Sequence, residues 1–268
     1  MTVSILGCGW YGLALAKALV ARGVTVNGST TSPDKLPILN EEGINSFLID
    51  LSPDRLLYDP IFFSCDVLVI AIPPKARSGA GAEYVPKLKK VIDAIDQHNI
   101  KKVILISSTG VYADQNQELN ELSDSKPNTP SGRVLFEAEV LFNQQINFKT
   151  TIIRFGGLIG PGREPGRFFA GKKDIPNGLA PVNMIHQQDC VGFTLAVIDK
   201  DAFGFTFNAC TPHHLPKLFF YTQAAAKAGL EAPQFIPELK EWKIISSVNN
   251  DKFLGYVYHI KNWYDWLK

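Results

Sequence analysis

Cysteine is scarce in this chain, and the four present, Cys8, Cys65, Cys190 and Cys210, lie far apart with no C-x-x-C pair. The spacing argues against a disulfide framework and fits buried, reduced thiols in a reducing compartment; no metal site is expected. Long apolar runs are missing too, since none reaches the roughly 18 to 20 residues of a membrane span. There is no basic stripe: 27 Lys and Arg balance 26 Asp and Glu to a net charge of +1, and they are scattered, so nucleic acid is not an expected partner. A glycine-rich motif begins at Gly7, directly after one short strand, which leaves no room for a signal peptide and predicts a cytoplasmic protein.

What is present is an ordinary globular composition, 46% hydrophobic and 20% charged over 268 residues. That length suits one large α/β domain, or one domain with a small second lobe. Short β-branched runs alternate with amphipathic stretches through residue 155. The expected strands are 3–6, 24–28, 46–50, 67–72, 102–106 and 150–154, with helices at 13–22, 33–42, 84–98 and 133–145. This alternation predicts a doubly wound parallel sheet of Rossmann type. Residues 156–181 are rich in Gly, Pro and Arg, the mark of a functional loop. Regular patterns resume with a helix at 188–198, a strand at 206–209, a helix at 218–229 and an aromatic helix at 260–267 carrying Trp263, Tyr264 and Trp266. The expected division is a Rossmann domain over 1–155, to which 183–210 returns, and a small substrate-binding lobe from 156–182 and 211–268.

Gly7-Cys8-Gly9-Trp10-Tyr11-Gly12 reads G-x-G-x-x-G between an apolar strand and a helix-forming run. In that context the motif predicts dinucleotide binding: Gly7 for the tight turn, Gly9 for close approach of the pyrophosphate, Gly12 for helix-to-strand packing. The helix N-terminus then offers free N–H groups to the phosphates. After the second strand an acidic residue would read the ribose of NAD. The chain instead has Ser29-Thr30-Thr31-Ser32-Pro33-Asp34-Lys35, hydroxyls and a cation suited to a 2'-phosphate, which favours NADP over NAD. The same hydroxyls could cap the helix opening at Pro33, with Ser32 as N-cap, and both readings could hold together.

Further markers follow: Asp50-Leu51, Ala71-Ile72-Pro73-Pro74, Ser107-Ser108-Thr109-Gly110-Val111-Tyr112, Arg154 to Arg163, and Asn183 to Asp189. With the glycine motif, they resemble the extended short-chain dehydrogenase/reductase superfamily, the epimerase/dehydratase group that acts largely on sugar nucleotides. The resemblance implies a Rossmann fold, a nicotinamide cofactor held also by Asp50, Leu51, Ala71, Ile72 and Pro73, a nucleotide-linked or phosphorylated substrate, and often a homodimer. Ser108 matches the family's catalytic Ser/Thr. The family's Tyr-x-x-x-Lys does not carry over, because Ser131 stands at the Tyr position and Leu135 at the Lys position. Neither side chain can carry a proton at neutral pH.

If chemistry persists, another group must supply the proton. Tyr112 follows the fifth strand at the ligand-binding edge, but reads more readily as a packing residue; His186 titrates in the right range, but reads more readily as a structural histidine. Thr109 could bond a substrate carbonyl or finish the turn. Arg163 and Arg167, on a glycine-punctuated loop, could clamp a substrate phosphate or stand idle at the surface. Asn183 and Arg154 are expected near the same cleft, although Arg154 could instead tie the sixth strand to its neighbours. Three readings stay open: an oxidoreductase or epimerase/dehydratase with rearranged acid-base residues, a non-enzymatic NADP(H) redox sensor, or a chain whose glycine turn is vestigial and binds no cofactor.

Overall fold

The β-branched runs become buried parallel strands, and the amphipathic stretches become the helices that cover them. In the computed structural model, residues 1–52, 57–74 and 80–268 are described. The first half runs β1 (Thr2–Leu6), α1 (Trp10–Val20), β2 (Thr25–Thr30), α2 (Leu36–Glu41), β3 (Asn45–Leu48), β4 (Val67–Ile70), α3 (Tyr84–Gln97), β5 (Lys102–Ser108), β6 (Gln117–Leu119), α4 (Pro130–Asn143) and β7 (Lys149–Phe155). The second half runs β8 (Gly157–Ile159), α5 (Gly166–Phe169), β9 (Met184–His186), α6 (Gln187–Asp199), β10 (Thr206–Ala209), α7 (Lys217–Lys227), β11 (Lys243–Ile245) and α8 (Trp263–Leu267).

Seven of these strands form one parallel sheet in the order β10-β7-β5-β4-β1-β2-β3. The order reverses between β1 and β4, and the carboxyl ends there are where open α/β sheets bind ligands. One face is covered by α1, α2 and α6 over a core that includes Val3, Ile5, Leu15, Val69, Phe193 and Phe207. The other is covered by α3 and α4 over Leu68, Ile70, Leu88, Val91, Leu105 and Phe142. Each fully buried aliphatic contributes about 1.5–3 kcal/mol, so burial on both faces explains the near-continuous apolar runs of the central strands.

Several boundaries differ from the expected ones. β2 continues to Thr30, two residues past the expected end, because its register with β3 runs through Thr30 and Leu48. The expected helix 33–42 splits into a 3-10 turn, Pro33–Lys35, and α2, where Pro37 sits in the first turn. α4 starts at Pro130, with the Thr129 hydroxyl accepting from Gly132 N at 3.1 Å. The C-terminal helix is shortened to α8, since the Asn262 side chain caps it by accepting from Asp265 N at 2.9 Å. Within the segment read as a loop, β8 pairs in parallel with β9.

A third core joins Ile159, Val182, Leu215, Phe220, Tyr221, Trp263 and Leu267, all from outside the sheet. The buried carboxylate of Asp189 anchors the C-terminal segment to α6: it accepts from Tyr256 OH at 2.9 Å, His259 N at 2.7 Å and Ile260 N at 3.1 Å. Asp189→Asn turns an amide N–H toward these donors and is expected to cost about 1–3 kcal/mol in urea unfolding. A midpoint unchanged from the parent protein would show that the anchor is dispensable.

Candidate functional site

At the reversal point a cavity of about 330 Å³ opens beside the glycine turn. Gly7 takes φ +104°, a conformation that side chains rarely adopt. Its N–H donates to Ser29 Oγ at 2.9 Å, and Cys8 N donates to the Ser29 carbonyl at 2.8 Å, which pins the turn to β2. A Cβ on Gly12 would lie 2.2 Å from the Gly7 carbonyl oxygen, so α1 packs against the turn as closely as the backbone permits. A Cβ on Gly9 would meet nothing within 4 Å. The space over Gly9 is therefore open, while α1 has no side-chain cap and no acidic residue in its first turn. Its N–H groups are left for an anion, the arrangement a dinucleotide pyrophosphate needs.

Of the residues expected at the cofactor, Gly7, Cys8, Gly9, Ser29, Thr30, Thr31, Lys35, Asp50, Leu51, Ile72 and Pro73 line this cavity. Burial pushes the Cys8 thiol up to about 12, so it lines the wall as an uncharged small group. Asp50 holds Ser52 N at 3.0 Å and bridges to Leu57. The other expected positions lie outside the lining. Tyr11 turns into the core, where its hydroxyl bonds Thr194 Oγ1 at 2.7 Å and its ring meets Phe155 edge-on. Ser32 makes no side-chain cap bond, and Ala71 packs against the core instead. The Ser29 hydroxyl, already holding the glycine turn, leaves Thr30, Thr31 and Lys35 as the side chains at the end of β2 that face the opening. Tyr84 and Lys87, which sequence reasoning missed, also line it. They stand at the start of the helix after β4, three residues apart on one face, and that position was the available signal. The Tyr84 hydroxyl donates to the Ile72 carbonyl at 3.2 Å, and Lys87 pairs with Glu83 at 2.8 Å.

The expected catalytic positions lie at the ends of β5 and α4. Ser108 closes β5, and its hydroxyl accepts from Gly110 N at 3.1 Å. A Cβ on Gly132 would sit 2.3 Å from the Gly110 carbonyl oxygen, so the first turn of α4, with Ser131, docks against the turn that follows Ser108. Thr109 is buried, and Leu135 lies in the apolar core. Tyr112 is a packing residue. It is 1% exposed, and its hydroxyl donates to the Asn120 carbonyl at 2.9 Å while Arg154 Nη1 donates to it at 2.5 Å. Burial raises its ionisation above the ordinary phenol range, which further unsuits it to proton transfer at neutral pH. Arg154 in turn donates from Nε and Nη2 to the buried carboxylate of Glu139, which also accepts from Ser107 Oγ.

The expected substrate residues are spread more widely. Asn183 spends both ends of its amide on β11, donating to the Lys243 carbonyl at 2.8 Å and accepting from Ile245 N at 2.9 Å. His186 caps α6, its Nδ1 accepting from Gln188 N at 3.2 Å, and burial lowers its pKa. The ring is thus a neutral cap at pH 7. Arg167 is exposed, 3.7 Å from Glu164. Arg163 stacks on the Trp10 ring at 4.8 Å.

Comparison with known proteins agrees with this geometry. A family model described as NAD(P)H-binding matches residues 7–201. Protein YeeZ of Escherichia coli (strain K12) is 38% identical over 262 residues, 96% of this chain and 95% of that protein. A functionally unknown conserved protein from Silicibacter pomeroyi DSS superposes with a TM-score of 0.81 at 22% identity, over 99% of this chain and 96% of that one. UDP-glucuronic acid 4-epimerase from Bacillus cereus, in complex with UDP-glucuronic acid and NAD, superposes with a TM-score of 0.80 at 18% identity, over 100% and 96%. A parallel sheet reversing at β1 and β4, an open glycine turn at that reversal and this family match together show that the chain belongs to the NAD(P)H-binding family.

Proposed function

We propose that the protein binds NADP(H) in this cavity and acts in the cytoplasm as an oxidoreductase or epimerase/dehydratase on a nucleotide-linked or phosphorylated small molecule. The lobe of residues 156–182 and 211–268 is the substrate side in this reading. The observation that carries it is the end of β2: Thr30, Thr31 and Lys35 line the cavity, and no carboxylate occurs between Asn27 and Pro33. A ribose 2'-hydroxyl is read by an acid, whereas a 2'-phosphate needs hydroxyls and a cation. The Bacillus cereus epimerase, with its UDP-glucuronic acid, supports the substrate class. A bound nicotinamide supplies hydride transfer. The chain's own contribution is to orient the substrate, with the Ser108 hydroxyl as the donor at the end of β5.

Lys35→Ala is expected to weaken NADPH about tenfold, near the lower end for an exposed charge-assisted bond, and to leave NADH within about twofold. Titration of both cofactors checks this. Equal losses for the two, or a parent protein that prefers NADH, would remove the 2'-phosphate assignment.

A second reading, a redox sensor without turnover, draws support from Leu135 in the core, Tyr112 locked to Arg154 and His186 spent as a cap. NADPH oxidation across a panel of UDP-linked keto-sugars separates the two. Turnover supports the enzyme; no turnover combined with unequal affinity for oxidised and reduced cofactor supports the sensor.

A further inference from the structure

We propose that Arg163 is the cation that neutralises the dinucleotide pyrophosphate, held over the glycine turn by the Trp10 ring. The assignment rests on the dinucleotide-binding reading and moves Arg163 from the substrate to the cofactor. A pyrophosphate carries two negative charges, and the N-terminus of α1 offers only about half a unit of positive charge. The turn supplies no cation, since the first basic residue of α1 is Lys17, near the helix's other end. Among the described residues, the cations lining the cavity are Lys35, beyond the end of β2, and Lys87, which is already paired with Glu83.

Arg163 comes to the turn from the other lobe and is fixed there by several bonds. Trp10 is the first residue of α1, next to Gly9. Its indole N–H donates to the Pro161 carbonyl at 2.6 Å, and its own carbonyl accepts from Gln187 Nε2 at 2.8 Å. The chain at Gly160 and Arg163 closes on itself, with Arg163 N donating to the Gly160 carbonyl at 2.8 Å. The guanidinium then rests 4.8 Å from the centre of the Trp10 ring. The ring contact takes up no hydrogen-bond acceptor, and among the described residues no carboxylate pairs with the guanidinium. Arg167, four residues on, serves as contrast, because it is turned to Glu164. A planar fork held on the ring of the residue that follows Gly9, with no carboxylate partner, has the donor pair that a phosphate oxygen pair needs.

The test uses ADP-ribose, which has the pyrophosphate, and adenosine 2'-monophosphate, which lacks it. In Arg163→Gln, ADP-ribose, NADPH and NADH are each expected to bind roughly 10- to 100-fold more weakly, and adenosine 2'-monophosphate within about twofold of the parent. Trp10→Leu, which removes the platform and keeps the cation, is expected to lose part of the same affinity. Arg163→Lys should recover part of it through charge alone. Unchanged ADP-ribose affinity in Arg163→Gln, with a parent protein that binds it, would overturn the assignment and leave the cofactor reading standing. A parent protein that binds none of the dinucleotides would overturn both.

Discussion

Glu139→Ala should lower the unfolding free energy by about 3–5 kcal/mol, a large part of the roughly 5–15 kcal/mol available to a domain. Glu139 and Arg154 have side-chain exposures of 1% and 8% and form a forked pair, Nε and Nη2 on the carboxylate. Removing the carboxylate strands a buried guanidinium and leaves the Ser107 hydroxyl without its acceptor. It also frees the arginine that fixes Tyr112. Urea unfolding of the purified variant reads the loss directly. The double variant Glu139→Leu with Arg154→Met removes both charges at similar volume and should regain most of the stability. A single variant within about 1 kcal/mol of the parent would mean that water reaches this pair.

Gly9→Val should abolish dinucleotide binding, by at least about 100-fold, while sparing the fold. The two effects separate because of the backbone: Gly9 has φ −84° and ψ −155°, open to any residue, and a Cβ there meets nothing within 4 Å. The stability cost is that of a poorer N-cap, about 1 kcal/mol. The binding cost is steric, since a valine side chain fills the space through which the pyrophosphate reaches the N–H groups of α1. Gly12→Ala would not give this separation, because its Cβ falls 2.2 Å from the Gly7 carbonyl oxygen and disturbs the turn itself. Cofactor should raise the melting temperature of the parent and not that of Gly9→Val. Retained binding in Gly9→Val would place the pyrophosphate elsewhere.

The sheet and the glycine turn were legible because their signals are local. Each strand carries its own β-branched run, and the motif from Gly7 to Gly12 has both its flanks within a few residues. The direction of individual side chains was not legible. Tyr11 and Trp10 are neighbours in one motif, yet one points into the core toward Thr194 and the other out toward Pro161, a choice set by where α6 and the 160–163 loop come to rest. Ser29 lines the cavity, and its hydroxyl also accepts from Gly7 N, a tie between β2 and the glycine turn that no residue pattern marks. The ladder of β6 with β11 joins Gln117 to Lys243, in strands too short to leave a periodicity. Asn183 is absorbed by that ladder for the same reason. Ser131 and Leu135 at the start of α4 were legible as residue types. The commitment of Tyr112 to Arg154 could be seen only once β5, β7 and α4 were brought together.

The cavity at the reversal of the sheet stands or falls as a dinucleotide site on one calorimetric titration, with NADPH and NADH run in turn against the parent protein and Gly9→Val. The predicted result is saturable one-to-one binding of NADPH by the parent, weaker binding of NADH, and none measurable by the variant. Absence of binding by the parent, or equal binding by parent and variant, would contradict the assignment.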